Sequence, residues 1–81
     1  MKLGIYSLKK ILFQGNAESV NVKTALGEIT ILDHHRPLIS LVKPGTIKII
    51  DTHKKEHYIP VSSGFVEVNS ANQSKFIVEE A

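Results

Sequence analysis

Gly27-Glu28-Ile29-Thr30-Ile31-Leu32-Asp33-His34-His35-Arg36-Pro37-Leu38, followed shortly by Lys43-Pro44-Gly45, is the stretch whose reading decides the fold. Apolar residues alternate with polar ones on either side of a charged, histidine-bearing loop, which is the period of a half-buried strand rather than of a helix. Arg36 precedes a proline and is pushed towards extended backbone. Leu38 to Val42 resumes the strand pattern, with Ile39 and Leu41 on one side. Pro44-Gly45 suits the centre of a type II turn, with glycine taking the positive φ.

The same period continues in both directions. Upstream, Val20, Val22 and Thr24 alternate with Asn21 and Lys23, and Ala25-Leu26-Gly27 makes a turn. Downstream, Thr46 to Ile50 is a β-branched run, Asp51 to Glu56 a polar tip, and Tyr58-Ile59 a strand that Pro60 ends or confines to an edge. Phe65 to Val68 and Lys75 to Val78 close the pattern around the turn-rich Asn69-Ser70-Ala71-Asn72. The first dozen residues fit either a helix or two strands split by Leu8-Lys9-Lys10. Gly4 and the shortness of the segment favour the strands. Roughly nine or ten short strands without a crossover helix predict an all-β chain, a single small antiparallel β-sandwich filling residues 1–81.

Composition narrows the function. Eighty-one residues give one domain with a thin core, which often leans on a partner for stability. The absence of cysteine excludes disulfides, thiolate metal sites and a cysteine nucleophile. A formal charge of +2 is too weak and too dispersed for a strong polyanion binder. No long apolar run spans a bilayer, and Met1 to Tyr6 lack the pattern of a signal peptide, so a reducing bacterial cytoplasm is the expected compartment.

Reactive groups are sparse. His34 and His35 are strand-spaced neighbours and chelate one ion poorly, while His53 and His57 flank a tip without a completing ligand set, so no metal is expected. Ser62-Ser63-Gly64 lacks the flanking glycines of a nucleophile elbow, and the carboxylates Glu28, Asp33, Glu79 and Glu80 are not placed across a cleft. No catalytic residue and no cofactor are expected. A small nucleic-acid-binding β-barrel is the main alternative. Against it, Tyr6, Phe13, Tyr58, Phe65 and Phe76 are dispersed, the phenylalanines sit in apolar runs where core packing is expected, and Lys9-Lys10 and Lys54-Lys55 are separate pairs.

Several ordered blocks carry a family likeness. Phe13-Gln14-Gly15, Gly27-Glu28, His35-Arg36-Pro37-Leu38, Pro44-Gly45 and Gly64-Phe65-Val66-Glu67-Val68 together resemble the N-terminal β-sandwich of the epsilon subunit of F-type ATP synthase, called delta in mitochondria. Thr30, Asp33-His34 and Ser63 depart from the family pattern, and Asp33 is expected to rebuild its loop as an Asx-type turn. The resemblance implies a non-catalytic central-stalk subunit that couples ion-driven rotation to the catalytic head. It would bind the gamma subunit and the c-ring directly and the αβ head indirectly, from the cytoplasmic face of the membrane and without inserting into it. It also implies Glu28, Asp33, His34 and His35 on the c-ring side, and Ser7 and Ser40 on the gamma side. The chain stops at Val78-Glu79-Glu80-Ala81, where the family's helical hairpin begins. A short form without that C-terminal helical domain, and without nucleotide binding or hairpin-mediated inhibition, is therefore expected.

Overall fold

The computed structural model describes Met1 to Ala81, and every regular element in it is a strand. They are β1 (Lys2–Tyr6), β2 (Ile11–Thr24), β3 (Gly27–Leu32), β4 (Leu38–Val42), β5 (Gly45–Asp51), β6 (Glu56–Asn69) and β7 (Gln73–Glu80). The strand count is seven rather than nine or ten because β2 and β6 are each 14 residues long and serve both layers. The second half of β2 pairs β3 and β5, and the first half of β6 pairs β5, forming one layer. The first half of β2 pairs β1, which lies parallel to β7, and β7 pairs the second half of β6, which also pairs β4. Register shifts at Ala17/Ser19 in β2 and Val61/Ser63 in β6 mark where each strand turns from one layer into the other. A bulge supplies the added bend and twist that such a turn needs. Short-run counting divides each of these strands at its bend.

Between the layers lie fifteen buried apolar residues, with Leu3, Ile5, Val20, Val22, Ile31, Ile47, Ile49, Val66 and Phe76 essentially inaccessible. The alternation of Val20, Val22 and Thr24 is borne out, since all three face inward. Thr24 is tolerated inside because its hydroxyl donates to the Gly27 carbonyl at 2.8 Å and accepts the Leu26 amide at 3.1 Å, closing the predicted turn. The first residues are two strands, as expected.

Two local expectations are corrected, those for Gly45 and Asp33, and the one for Pro60 is decided between its alternatives. Gly45 does not take a positive φ and opens β5 opposite Val61, while Lys43 donates its amide to Lys23. Pro44 is thus the corner of a crossing between layers, not the centre of a hairpin, because β4 and β5 do not pair. Of the two alternatives for Pro60 the edge holds, and the strand runs on past it. Pro60 sits where β6 changes partners, and residues 56–60 pair β5 alone, so its missing donor faces no ladder. Asp33 forms no Asx turn. The His35 amide closes that turn on the Leu32 carbonyl at 3.1 Å, and the Asp33 carboxylate instead meets the Met1 ammonium and accepts from the Asn72 side-chain amide at 3.3 Å.

Candidate interaction surface

The layer built by β4, β6, β7 and β1 has an open outer face. Leu41 stands opposite Phe65, and Phe65 opposite Ile77, so three large apolar side chains form a row across three strands. They are 55%, 56% and 41% exposed, and Ile39, two residues from Leu41, is 74% exposed. Leu8, on the β1–β2 turn, extends the row into a groove of about 540 Å³ that Lys43 and Glu79 also line. Glu67 and Lys75 face each other across the strands beside Ile39. Contiguous exposed apolar surface with a charged margin marks an interaction site, because a partner that covers it removes apolar area from water.

Alternation explains why these residues face outward. Along β6, Val66 and Val68 point into the core, so Phe65 shares the solvent side with Glu67. Along β7, Phe76 and Val78 are buried, and Ile77 sits between Lys75 and Glu79 on the outer side. The expectation that all three phenylalanines pack in the core therefore holds for Phe76 in full and for Phe13 in part, and fails for Phe65. Phe13 is half-buried against the His57 ring, with centroids 5.1 Å apart, and Phe65 is exposed. The charged neighbours two residues away were the available signal.

Ser40 lies on the inner side of β4, only 8% exposed, with its hydroxyl donating to the Leu41 carbonyl at 3.3 Å. Its neighbours Ile39 and Leu41 carry the outer surface. Ser7 caps the β1–β2 turn, accepting from the Lys9 and Lys10 amides at 3.3 and 3.2 Å, and stands next to Leu8 at the groove. Ser7 and Ser40 thus border one layer. Glu28 and the Asp33–His35 loop do not come together. They occupy opposite ends of β3, and the extended run of residues 29–32 keeps Glu28 roughly 16 Å from Asp33. Glu28 is exposed, lies across from Lys23 and makes no ion pair.

The Asp33–His35 loop belongs to a knot of polar contacts at one end of the sandwich. His34 has a φ of 59° and donates its amide to the Asn72 side-chain oxygen at 2.7 Å. The Met1 ammonium, followed by the Asn72 amide, holds the Asp33 carboxyl below its ordinary value. At the β5–β6 tip, Asp51 accepts the His53 and Lys55 amides at 2.8 and 3.0 Å and faces the His57 ring at 2.9 Å. That histidine contact, reinforced by the two amides, lowers the Asp51 carboxyl to about 2. A depressed carboxyl adds stability above its unfolded value near 3.9, and loses it as pH falls through the folded one. Asp51→Asn is accordingly expected to lower Tm at neutral pH and to flatten the loss of stability between about pH 4 and about pH 2, read by thermal melts across that range. An unaltered acid profile would remove Asp51 from the account. No three or more His, Asp or Glu side chains converge in a geometry that holds a metal ion.

Fold and site define a small sandwich whose distinctive surface is an open apolar sheet face with structured polar loops at its ends. The chain belongs to the family of the ATP synthase delta/epsilon chain β-sandwich domain, whose profile matches residues 1–81. A chain in the cryo-EM structure of the Euglena gracilis mitochondrial ATP synthase, an OSCP/F1/c-ring assembly in rotational state 1, superposes with a TM-score of 0.89 at 20% identity, over 96% of this chain and 49% of that one. A chain in the Tetrahymena thermophila mitochondrial ATP synthase central stalk/c-ring structure gives 0.83 at 20% identity, over 99% and 63%. The present chain therefore spans only half to under two-thirds of the length of those relatives in fold.

Proposed function

We propose that this chain is a non-catalytic central-stalk subunit of a rotary ATP synthase, the runner between gamma and the c-ring that passes ion-driven rotation towards the αβ head. The observation that carries this reading is the open Leu41–Phe65–Ile77 face on a family sandwich matched along its whole length. A face of this kind is what a close-packed body presents when its work is to be held by neighbours, and a core at crystal-like density passes strain on with little compression. Gamma is the natural occupant of the β4–β6–β7 face, where Ser7 and the residues flanking Ser40 border it. The c-ring would meet the polar ends of β3, with Glu28 at one and Asp33, His34 and His35 at the other. The complex would hold the subunit at the cytoplasmic face of a bacterial energy-coupling membrane, peripheral and without nucleic acid.

The test is capture from solubilised membranes with an affinity tag placed after Ala81, since Met1 is buried. Recovery of α, β and gamma together is expected, and recovery of none of them overturns the proposal. Glu28 offers a finer test. Because an exposed pair contributes about 0.2–1 kcal/mol, Glu28→Lys is expected to weaken coupling of head to membrane sector without preventing assembly. ATP-driven proton pumping that matches the parent protein at equal assembly would exclude the contact.

A further inference from the structure

Strand β4 is paired along one side only. Its five residues, Leu38–Val42, face β6 in an unbroken register, and on the other side the strand meets β2 only at Thr24 and Val42. Two backbone bonds flank that single contact. Ala25 donates to the Leu41 carbonyl at 3.0 Å, and Lys43 donates to the Lys23 carbonyl at 2.8 Å. They fix the direction in which the ladder alternates. Leu41 turns its backbone groups away from β6, so Leu38, Ser40 and Val42 bond to β6, and Ile39 turns outward with Leu41.

The outward edge can be read group by group. The Leu41 carbonyl is spent, since it accepts both the Ala25 amide and the Ser40 hydroxyl. The Leu41 N–H and the Ile39 N–H and C=O have no partner in the fold. Pro37, exposed and next along the same edge, offers a carbonyl and has no N–H. The edge therefore holds two donors and two acceptors. Nothing blunts it, because from Leu38 to Val42 there is no charge, no proline and no bulge, the devices that keep edge strands from pairing.

We propose that this edge pairs with its own copy, two chains joining β4 to β4 antiparallel about a twofold axis beside Ile39. In that register Ile39 faces its counterpart and the two exchange both backbone bonds, while each Leu41 N–H meets the opposite Pro37 carbonyl. Every free donor and acceptor is used, in four bonds. The two groups that cannot take part, the proline nitrogen and the spent Leu41 carbonyl, fall opposite each other. Sliding one copy by two residues sets Ile39 against one of those groups and leaves two of the four bonds. A foreign extended segment could also add to an edge strand, but the matched gaps single out a second copy. The Ile39 side chains, 74% exposed in the single chain, meet across the axis and leave water. Such an isologous contact closes at two chains. Edge pairing sets the two sheets side by side, so the outer apolar face stays open and the contact does not compete with gamma for it.

The test is sedimentation equilibrium of the full chain alone, from about 10 μM to about 1 mM, the range of a small interface. The apparent mass is expected to rise from 9.0 kDa towards twice that value and no further. Ile39→Pro deletes the N–H at the axis, at an edge position where proline is tolerated, and is expected to weaken pairing about tenfold or more. Ile39→Lys and Ile39→Glu keep that N–H and set like charges across the axis. Each alone is expected to weaken pairing about tenfold, and an equal mixture of the two to restore it, at a Tm close to that of the parent. A parent chain that stays monomeric, a mass that climbs past two chains, or pairing that Ile39→Lys leaves unaltered overturns the proposal. So does a mixture that associates no better than its components. The experiment contains no other subunit, so its failure leaves the rotor reading untouched, and capture of gamma from membranes tests that reading by itself.

Discussion

Gly64→Ala is expected to cost at least about 3 kcal/mol and to lower Tm by more than about 10 °C. Gly64 has a φ of +154°, where only glycine is comfortable, and lies in β6 opposite Val42 of β4 and Val78 of β7. A Cβ there would overlap the Ile77 carbonyl oxygen and stand 2.8 Å from the Val78 Cα. Both obstacles belong to the backbone of β7, so relief requires moving β7 away and opening the central ladder of this layer. A loss of this size is a large part of the 5–15 kcal/mol by which domains are stable. Urea or thermal unfolding measures it directly. A melt within about 2 °C of the parent would mean that β7 yields easily, contrary to the packing described.

Leu41→Asp combined with Phe65→Asp is expected to abolish capture of gamma, by about 100-fold or more in affinity, while leaving the fold intact. Both side chains are more than half exposed, so their removal opens no cavity, and thermal stability should hold within a few degrees. At the centre of an interface each would be a buried anchor of at least about 2 kcal/mol, and an aspartate would add an unpaired charge against the partner. The contrast between intact melting and lost capture is what makes the test informative. Unchanged capture would show that this face is not where gamma sits. Simultaneous loss of melting would show that the face belongs to the fold instead.

Much of the architecture was legible because alternation is strict wherever one side of a strand is buried. Val20-Asn21-Val22-Lys23-Thr24 reads correctly for that reason, as do the Ala25-Leu26-Gly27, Asp51–Glu56 and Asn69–Asn72 turns. Strand number was less legible, since the bends in β2 and β6 are bulges, and a bulge looks like a strand end when only side-chain period is read. Gly45 was misassigned because a Pro-Gly pair fits a hairpin and a layer crossing equally well until the pairing partners are known. The apolar face was the larger omission. Ile39, Leu41, Phe65 and Ile77 look like core by residue type, and only the charges two positions from Phe65 and Ile77 show that they face out. The polar knot joining Asp33, Asn72 and Met1 could not be read at all, as it depends on three segments meeting in space.

The parallel ladder between β1 and β7 has a kinetic consequence. Register pairs Lys2 with Gln73 and Tyr6 with Ile77, so residues about seventy positions apart must find each other before the first strand is flanked on both sides. Loop closure over such a span is slow, and all-β chains dominated by distant pairings take milliseconds to seconds to fold. On the ribosome β1 would wait with one edge bare until β7 emerges, which makes that interval the time when the nascent chain is most open to mispairing with another copy.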